Sequence, residues 1–191
     1  MKNNLQVIDS LLGLQSARIS DPSVQEILRE GQNRVRSMAL IHQTLYQSHD
    51  FAEVDFAHFL EALIRTLASS YGVDADRIAL TVDAETVTLP IDAAIPCGLA
   101  VNELVSNALK HAFPDQTQGQ ITIILRMEQE GAVVAVTVAD NGIGLPEGLD
   151  IATTPTLGLQ LVSLLADQLS GSFSMRRGPP TEFLMTFPVG R

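Results

Sequence analysis

The sequence predicts an α+β protein: a helical hairpin over residues 1–49, then a two-layer α/β sandwich over residues 50–191. Two observations lead there. Up to residue 48, apolar residues recur at intervals of three, four or seven, the spacing of amphipathic helices. Beyond residue 50, alternating β-rich runs close on turn signals and stand apart from helical stretches.

The elements follow in order. Leu5, Ile8, Leu12 and Ile19 share a face of a first helix, with Leu11 and Leu14 beside them. Ser20 to Ser23, "SDPS", breaks that helix, with Pro22 as the obstacle. Val24, Leu28, Val35, Met38, Ile41 and Leu45 mark a second helix. A lone hairpin buries little, so its stripes call for a partner. A second copy of the chain, giving a dimeric four-helix bundle, is the expected one; packing against the rest of the same chain is the other. A helix then spans Phe56 to Ser70, and Arg77 to Ala84 alternates like a strand. A helix over 91–112 comes next. "QITIILRMEQEGAVVAVTVAD" reads as two strands joined through "EQEG". Leu157 to Leu169 is helical, and "GSFSMRRGPPTEFLMTFPV" supplies two more strands about a Gly-Pro turn.

Composition bounds the partners. The 191 residues are 46% hydrophobic, enough for a sizeable core. The formal charge of −10 opposes nucleic acid, although local donors can still hold a small anion. The single Cys97 cannot form an internal disulfide, which fits a reducing compartment, and its apolar setting suits a small buried hydrophobe. No run approaches the roughly 20 apolar residues of a membrane span. A cytoplasmic protein or segment without direct membrane contact is the expectation.

Four stretches bear chemistry. In "NELVSNALKHAF", Asn102, Glu103, Ser106, Asn107, Lys110 and His111 fall on one face of a helix. The face is either wet or lines a site. In "VADNGIGLP", a strand runs into Asp140, with Gly142 and Gly144 two apart. Asp140 is either a turn former or a carboxylate that accepts from an exocyclic amine. The glycines would let backbone approach a ligand. In "TPTLGLQLV", Gly158 and Leu159 sit where a loop becomes a helix, an ordinary helix start or a phosphate seat. In "RRGPPTEFLMTF", Thr181 opens a strand after a tight turn.

Taken in this order, the four stretches resemble the ATP-binding domain shared by histidine kinases, DNA gyrase, heat-shock chaperone ATPases and mismatch-repair ATPases, the GHKL group. "NELVSNALKHAF" resembles the N box, "DNGIGLP" the G1 box, "TLGLQLV" the G2 box and "GPPTEF" the last glycine-threonine box. The resemblance covers about residues 75–190. "KNNLQVIDSLLGLQ" and "NRVRSMALIHQTLYQS" resemble the dimerisation helices of a bacterial histidine-kinase class related to the HWE kinases.

The resemblance implies an ATP-binding core of a two-component sensor histidine kinase that uses Mg²⁺. Asp140 would select adenine, with Gly142, Gly144, Gly158, Leu159 and Thr181 around the nucleotide. Asn107 and Glu103 would be metal-facing oxygens. Lys110 and His111 would meet phosphate, and Glu103 and Lys110 would be catalytic. The partners implied are a second copy of the chain and the receiver domain of a response regulator, whose aspartate takes the phosphoryl group.

The sequence also departs from the family. Glu103 stands where most histidine kinases carry Asn, Thr156-Leu157-Gly158 lacks one phosphate-facing glycine, and the HWE marker residues are not seen. The short stretch between Leu145 and Leu157 implies a small lid. In the resembled class a His-His-Arg-Val run precedes "KNNLQ", so the acceptor histidine is expected just upstream of Lys2. His42, His49 and His58 then read as surface histidines. A chain of this extent is expected to bind Mg-ATP without phosphorylating itself. Two other readings stay open: a non-enzymatic phosphotransfer adaptor with an ATP-like domain, and a serine kinase of the anti-sigma type.

Overall fold

A computed structural model describes residues 2–47, 53–114, 118–145 and 157–189. The chain divides into two compact units, Met1–Phe51 and Ala52–Arg191.

The first unit is a hairpin of α1 (Lys2–Ser16) and α2 (Pro22–Gln47). Pro22 is not what stops α1, which already ends at Ser16; it opens α2. Its fixed φ and missing N–H suit the first helical position, and the Asp21 carboxylate just before it accepts from the Ser23 amide at 2.9 Å. The helices are joined by polar contacts. The Asp9 carboxylate accepts from Arg36 Nε at 2.8 Å, and the Asp9 carbonyl from Gln32 Nε2 at 3.0 Å. Gly13 leaves the room that Gln32 fills: a Cβ there would lie 2.9 Å from Gln32 Nε2.

The apolar stripe of α1 divides differently from its periodicity. Leu5 and Leu12 are half-buried, whereas Ile8 turns outward with Val7, Leu11 and Leu14; Ile19, expected on the same helical face, is half-buried but lies beyond the end of α1 at Ser16. Ile27, Val24 and Met38 are exposed on α2. Such a run of uncovered aliphatic groups is larger than the scattered apolar residues usual on a surface.

The second unit starts with β1 (Glu53–Asp55) and α3 (Phe56–Ser70). Asp55 caps α3, accepting from the His58 amide at 3.0 Å. The helix buries Phe56, Phe59, Leu60, Leu63, Ile64 and Leu67. Each such side chain contributes about 1.5–3 kcal/mol. There follow β2 (Ile78–Ala84), β3 (Thr88–Pro90), α4 (Ile91–His111), β4 (Gly119–Glu128), β5 (Val133–Asp140), α5 (Leu157–Gln168), β6 (Ser172–Arg176) and β7 (Thr181–Pro188).

The main sheet has the order β2-β4-β5-β7-β6. Its inward rows, including Ile121, Ile123, Leu125, Val134, Val136, Val138, Phe183, Met185 and Phe187, are buried, while the alternate residues are more open. This is the two-layer α+β sandwich that the alternation predicts. Two features were not legible. The β2–β4 pair is parallel, not a hairpin, because β3 and α4 form the crossover between them. And β1 with β3 makes a separate antiparallel two-stranded sheet. Three-residue strands are too short for periodicity to reveal.

Helix α4 is the central element. Ala94, Pro96 to Ser106 and Ala108 are all buried. Pro96 lies inside the helix and forgoes one backbone bond. Cys97 is buried too, and desolvation pushes its thiol pKa far up, so it packs as a small hydrophobe. Among the described residues no helix is long and apolar enough to cross a membrane.

Candidate functional site

Burial sorts the polar face of α4. Asn102, Glu103 and Ser106 are buried, Asn107 and Lys110 half-buried, and His111, the last helical residue, exposed. Neither Asn102 nor Glu103 lacks an interaction partner, as burial of such groups requires. The upper part of this face is therefore not a wet surface.

What lies against it is the first turn of α5. A Cβ on Gly158 would lie 3.0 Å from Glu103 Oε2, 3.3 Å from Asn107 Nδ2 and 3.7 Å from Asn107 Oδ1. Glu103 and Asn107, one helical turn apart, thus converge on the Gly158 backbone, where a side chain would crowd both of them. Rotating the Asn107 amide exchanges its two polar atoms, so two side-chain oxygens can share this cleft. Hard oxygen donors suit Mg²⁺, which keeps waters and phosphates for its other positions. Among the described residues no three His, Cys, Asp or Glu side chains converge into a metal cage. Leu159, the next residue of α5, is buried.

Asp140 ends β5 and stands directly opposite Thr181, which opens β7. Both are buried, Thr181 to 1% exposure and Asp140 to 7%. Asp140 Oδ1 accepts from the Gly142 amide at 3.0 Å. Burial raises its carboxyl pKa, against the lowering by that hydrogen bond. Among the described residues this buried carboxylate accepts from the Gly142 amide alone, which leaves it capacity for another donor.

The loop after Asp140 is fastened to the end of α4. The Ile143 amide donates to the Ala112 carbonyl at 3.0 Å, and a Cβ on Gly142 would lie 2.3 Å from that oxygen. Gly144 takes φ +80°, which favours glycine. Asn141 is a site residue that the motif reading passed over. Its Oδ1 accepts from the Gln120 amide at 2.7 Å, while its own amide donates to the Gln120 carbonyl at 3.2 Å. The side chain thus closes the β4–β5 ladder where the loop departs. The signal was present, since Asn before Gly is a turn former that bonds nearby backbone.

The sequence-predicted residues therefore form three contacting groups: Glu103 and Asn107 with Gly158, Asp140 with Thr181 and Gly142, and Gly142 with the end of α4. His111 is exposed at that end. The expected lid falls in residues 146–156, outside the described residues, as does His49; of the His42 side chain nothing is described. His58 lies in the first turn of α3.

A polar-faced helix under a mixed sheet, with a buried strand-end Asp and a bare glycine at a helix start, marks a nucleotide-binding ATPase fold. The chain belongs to the family of histidine kinase-, DNA gyrase B- and HSP90-like ATPases, whose sequence pattern matches residues 93–191. Residues 1–71 match a second pattern, that of a histidine kinase family. The sensor histidine kinase PdtaS of Mycobacterium tuberculosis is 35% identical over 195 residues, covering all of this chain and 38% of PdtaS. Blue-light-activated histidine kinase 2 of Erythrobacter litoralis is 30% identical over 93% of this chain and 51% of its own length. The chain thus spans about two fifths to one half of these relatives. The solved histidine kinase domain of the Erythrobacter litoralis EL346 blue-light activated kinase superposes with a TM-score of 0.75 at 25% identity, covering 96% of each chain.

Proposed function

We propose that this chain is the ATP-binding and dimerisation core of a two-component sensor histidine kinase. One observation carries the reading. Among the described residues of the second unit, the buried polar side chains are Asn102, Glu103, Ser106, Asp140 and Thr181. Every one belongs to a motif that the ATPase resemblance singles out. Burying polar groups costs free energy, and their concentration in these motifs supports a shared site.

The residues divide the work as follows. Asp140 accepts from the amine of adenine. Asn107 and Glu103 present oxygens to Mg²⁺, and Glu103 also polarises the attacking group. Lys110 and His111 donate to phosphate oxygens, and the amides at the start of α5 add a positive helix end. When bound, Mg-ATP would supply the phosphoryl group that passes to a histidine and then to a receiver-domain aspartate.

The test is thermal unfolding with and without Mg-ATP. Nucleotide at about 100 times its dissociation constant adds about 2.7 kcal/mol to a protein that binds it when folded. Asn107→Ala is expected to keep the shift from ATP alone and to lose the increment from Mg²⁺. No shift in the starting protein rules the reading out, and an unchanged Mg²⁺ increment in Asn107→Ala rules out the metal role.

The outward aliphatic stripe of Val7, Leu11, Leu14 and Ile27 supports pairing with a second copy. Light scattering at micromolar concentration is expected to read twice the 20.6 kDa chain mass. The double variant Leu11→Glu/Leu14→Glu is expected to read one chain, because charge on this stripe resists burial. A monomeric starting protein would contradict the pairing.

A further inference from the structure

The geometry points to Arg77 as a positioning residue for the phosphate-facing end of α4. It lies just before β2, far in sequence from every motif above. Its guanidinium Nη2 donates to the Phe113 carbonyl at 3.0 Å, two residues past the end of the helix. The neighbouring Ala112 carbonyl is taken by the Ile143 amide. Two successive carbonyls beyond α4 are thus held from separate places, one by the glycine loop after β5 and one by Arg77.

Three details argue that Arg77 does more than decorate the surface. First, its backbone is held firmly. The Asp74 carbonyl accepts from both the Arg77 and Ile78 amides at 2.9 Å, and the Arg77 carbonyl accepts from Gly119 at 2.9 Å. Second, the segment beyond α4 packs without slack. A Cβ on Gly119 would lie 2.0 Å from the Phe113 ring, so the ring lies directly on the glycine whose amide donates to the Arg77 carbonyl. Third, Arg77 Nε is buried and, among the described residues, has no hydrogen-bond partner. Part of the guanidinium is therefore withdrawn from water, and its Nη2 bond to the Phe113 carbonyl sets its direction. A cation beside the last carbonyls also complements the negative helix end.

The consequence falls on Lys110 and His111, which sit within three residues of Phe113. Loosening that end misdirects donors meant for phosphate, whereas Asp140 keeps two anchors that do not involve Phe113, its register opposite Thr181 and the Gly142 amide. The inference rests on the ATP-binding reading above, with Lys110 and His111 facing phosphate. It predicts a loss confined to the phosphate-bearing ligand.

Binding of Mg-ATP and of adenosine is compared by calorimetry for the starting protein, Arg77→Met and Arg77→Lys. Arg77→Met is expected to weaken Mg-ATP about tenfold while adenosine changes by less than about twofold. Arg77→Lys, which keeps a cationic donor on a long stem, is expected to recover part of the ATP affinity. A purely structural residue would weaken both ligands alike and would not spare adenosine. Equal losses, or none, overturn the inference. If Arg77→Met shows no folding transition, Arg77→Gln, whose neutral amide is too short to reach Phe113, is read by the same ratio. Failure of the starting protein to bind Mg-ATP overturns the nucleotide reading, and this inference with it. Binding that is present but indifferent to Arg77 overturns this inference alone.

Discussion

Replacing Asp140 by Asn is expected to weaken ATP binding at least tenfold without weakening the fold. The carboxylate is buried at the end of β5 and accepts one bond from Gly142. An adenine amine would be its second donor. Asn keeps the shape and can still accept from the Gly142 amide. Toward adenine it offers either a neutral acceptor or a donor facing a donor. Loss of a charge-assisted bond in a buried site corresponds to about 1.5–3 kcal/mol. The stability arm has the opposite sign. Burial raises the Asp140 pKa, so the native state holds its proton more tightly than the unfolded chain. The group's contribution to stability is then present at low pH and is lost as pH rises through the folded pKa. At neutral pH the ionised carboxylate is a burden that Asn removes. The melting temperature without ligand is therefore expected to hold or rise while affinity falls. Equal binding of ATP and GTP by the starting protein would refute the adenine role. An affinity loss matched by a fall in melting temperature would recast Asp140 as structural.

Gly142→Ala is expected to lower both stability and ATP affinity, the opposite pattern from Asp140→Asn. The added methyl would lie 2.3 Å from the Ala112 carbonyl oxygen and 2.6 Å from the Ala112 Cβ. Neither atom sits on a side chain that can rotate away. The loop or the end of α4 must move, breaking the 3.0 Å bond from Ile143 to Ala112. Overpacking of this kind costs about 1–3 kcal/mol. The Gly142 amide that donates to Asp140 moves with the substituted residue itself, so ATP affinity is expected to fall too. Urea unfolding and nucleotide titration of the one variant check both arms. A variant as stable as the starting protein would show that the loop yields freely. One with full affinity would show that the loop does not shape the pocket.

Much of the second unit could be read from the sequence because its signals are local. The β-rich runs "ITIILRM" and "VVAVTVAD", joined through a turn signal, mark paired strands, and the structure pairs them as β4 and β5. The spacing of Asn102, Glu103 and Asn107 places them on one helical face wherever that helix goes. The dinucleotide Asn141-Gly142 marks a turn for the same reason. The outward turn of Ile8 was not legible. With only 3.6 residues per turn, Ile8 lies near the border between two faces, and which side is covered depends on how α2 is set against α1. The parallel partnership of β2 with β4 and the small β1–β3 sheet were likewise not legible.

By itself the sequence determined which residues are candidates for the chemistry and, for most of them, which element each one rides on. Helical periodicity, strand alternation and turn formation act over a few neighbouring residues. Only the tertiary structure decided what those residues meet. Glu103 and Asn107 close on Gly158 across more than fifty residues of chain. Thr181 comes opposite Asp140 through strand register, and Arg77 reaches the carbonyl of Phe113. Long-range pairings of this kind are set by the packing of a whole core, in which many weak contacts select one arrangement together. No local run of residues records that choice, and the depth to which each polar group is buried follows from it.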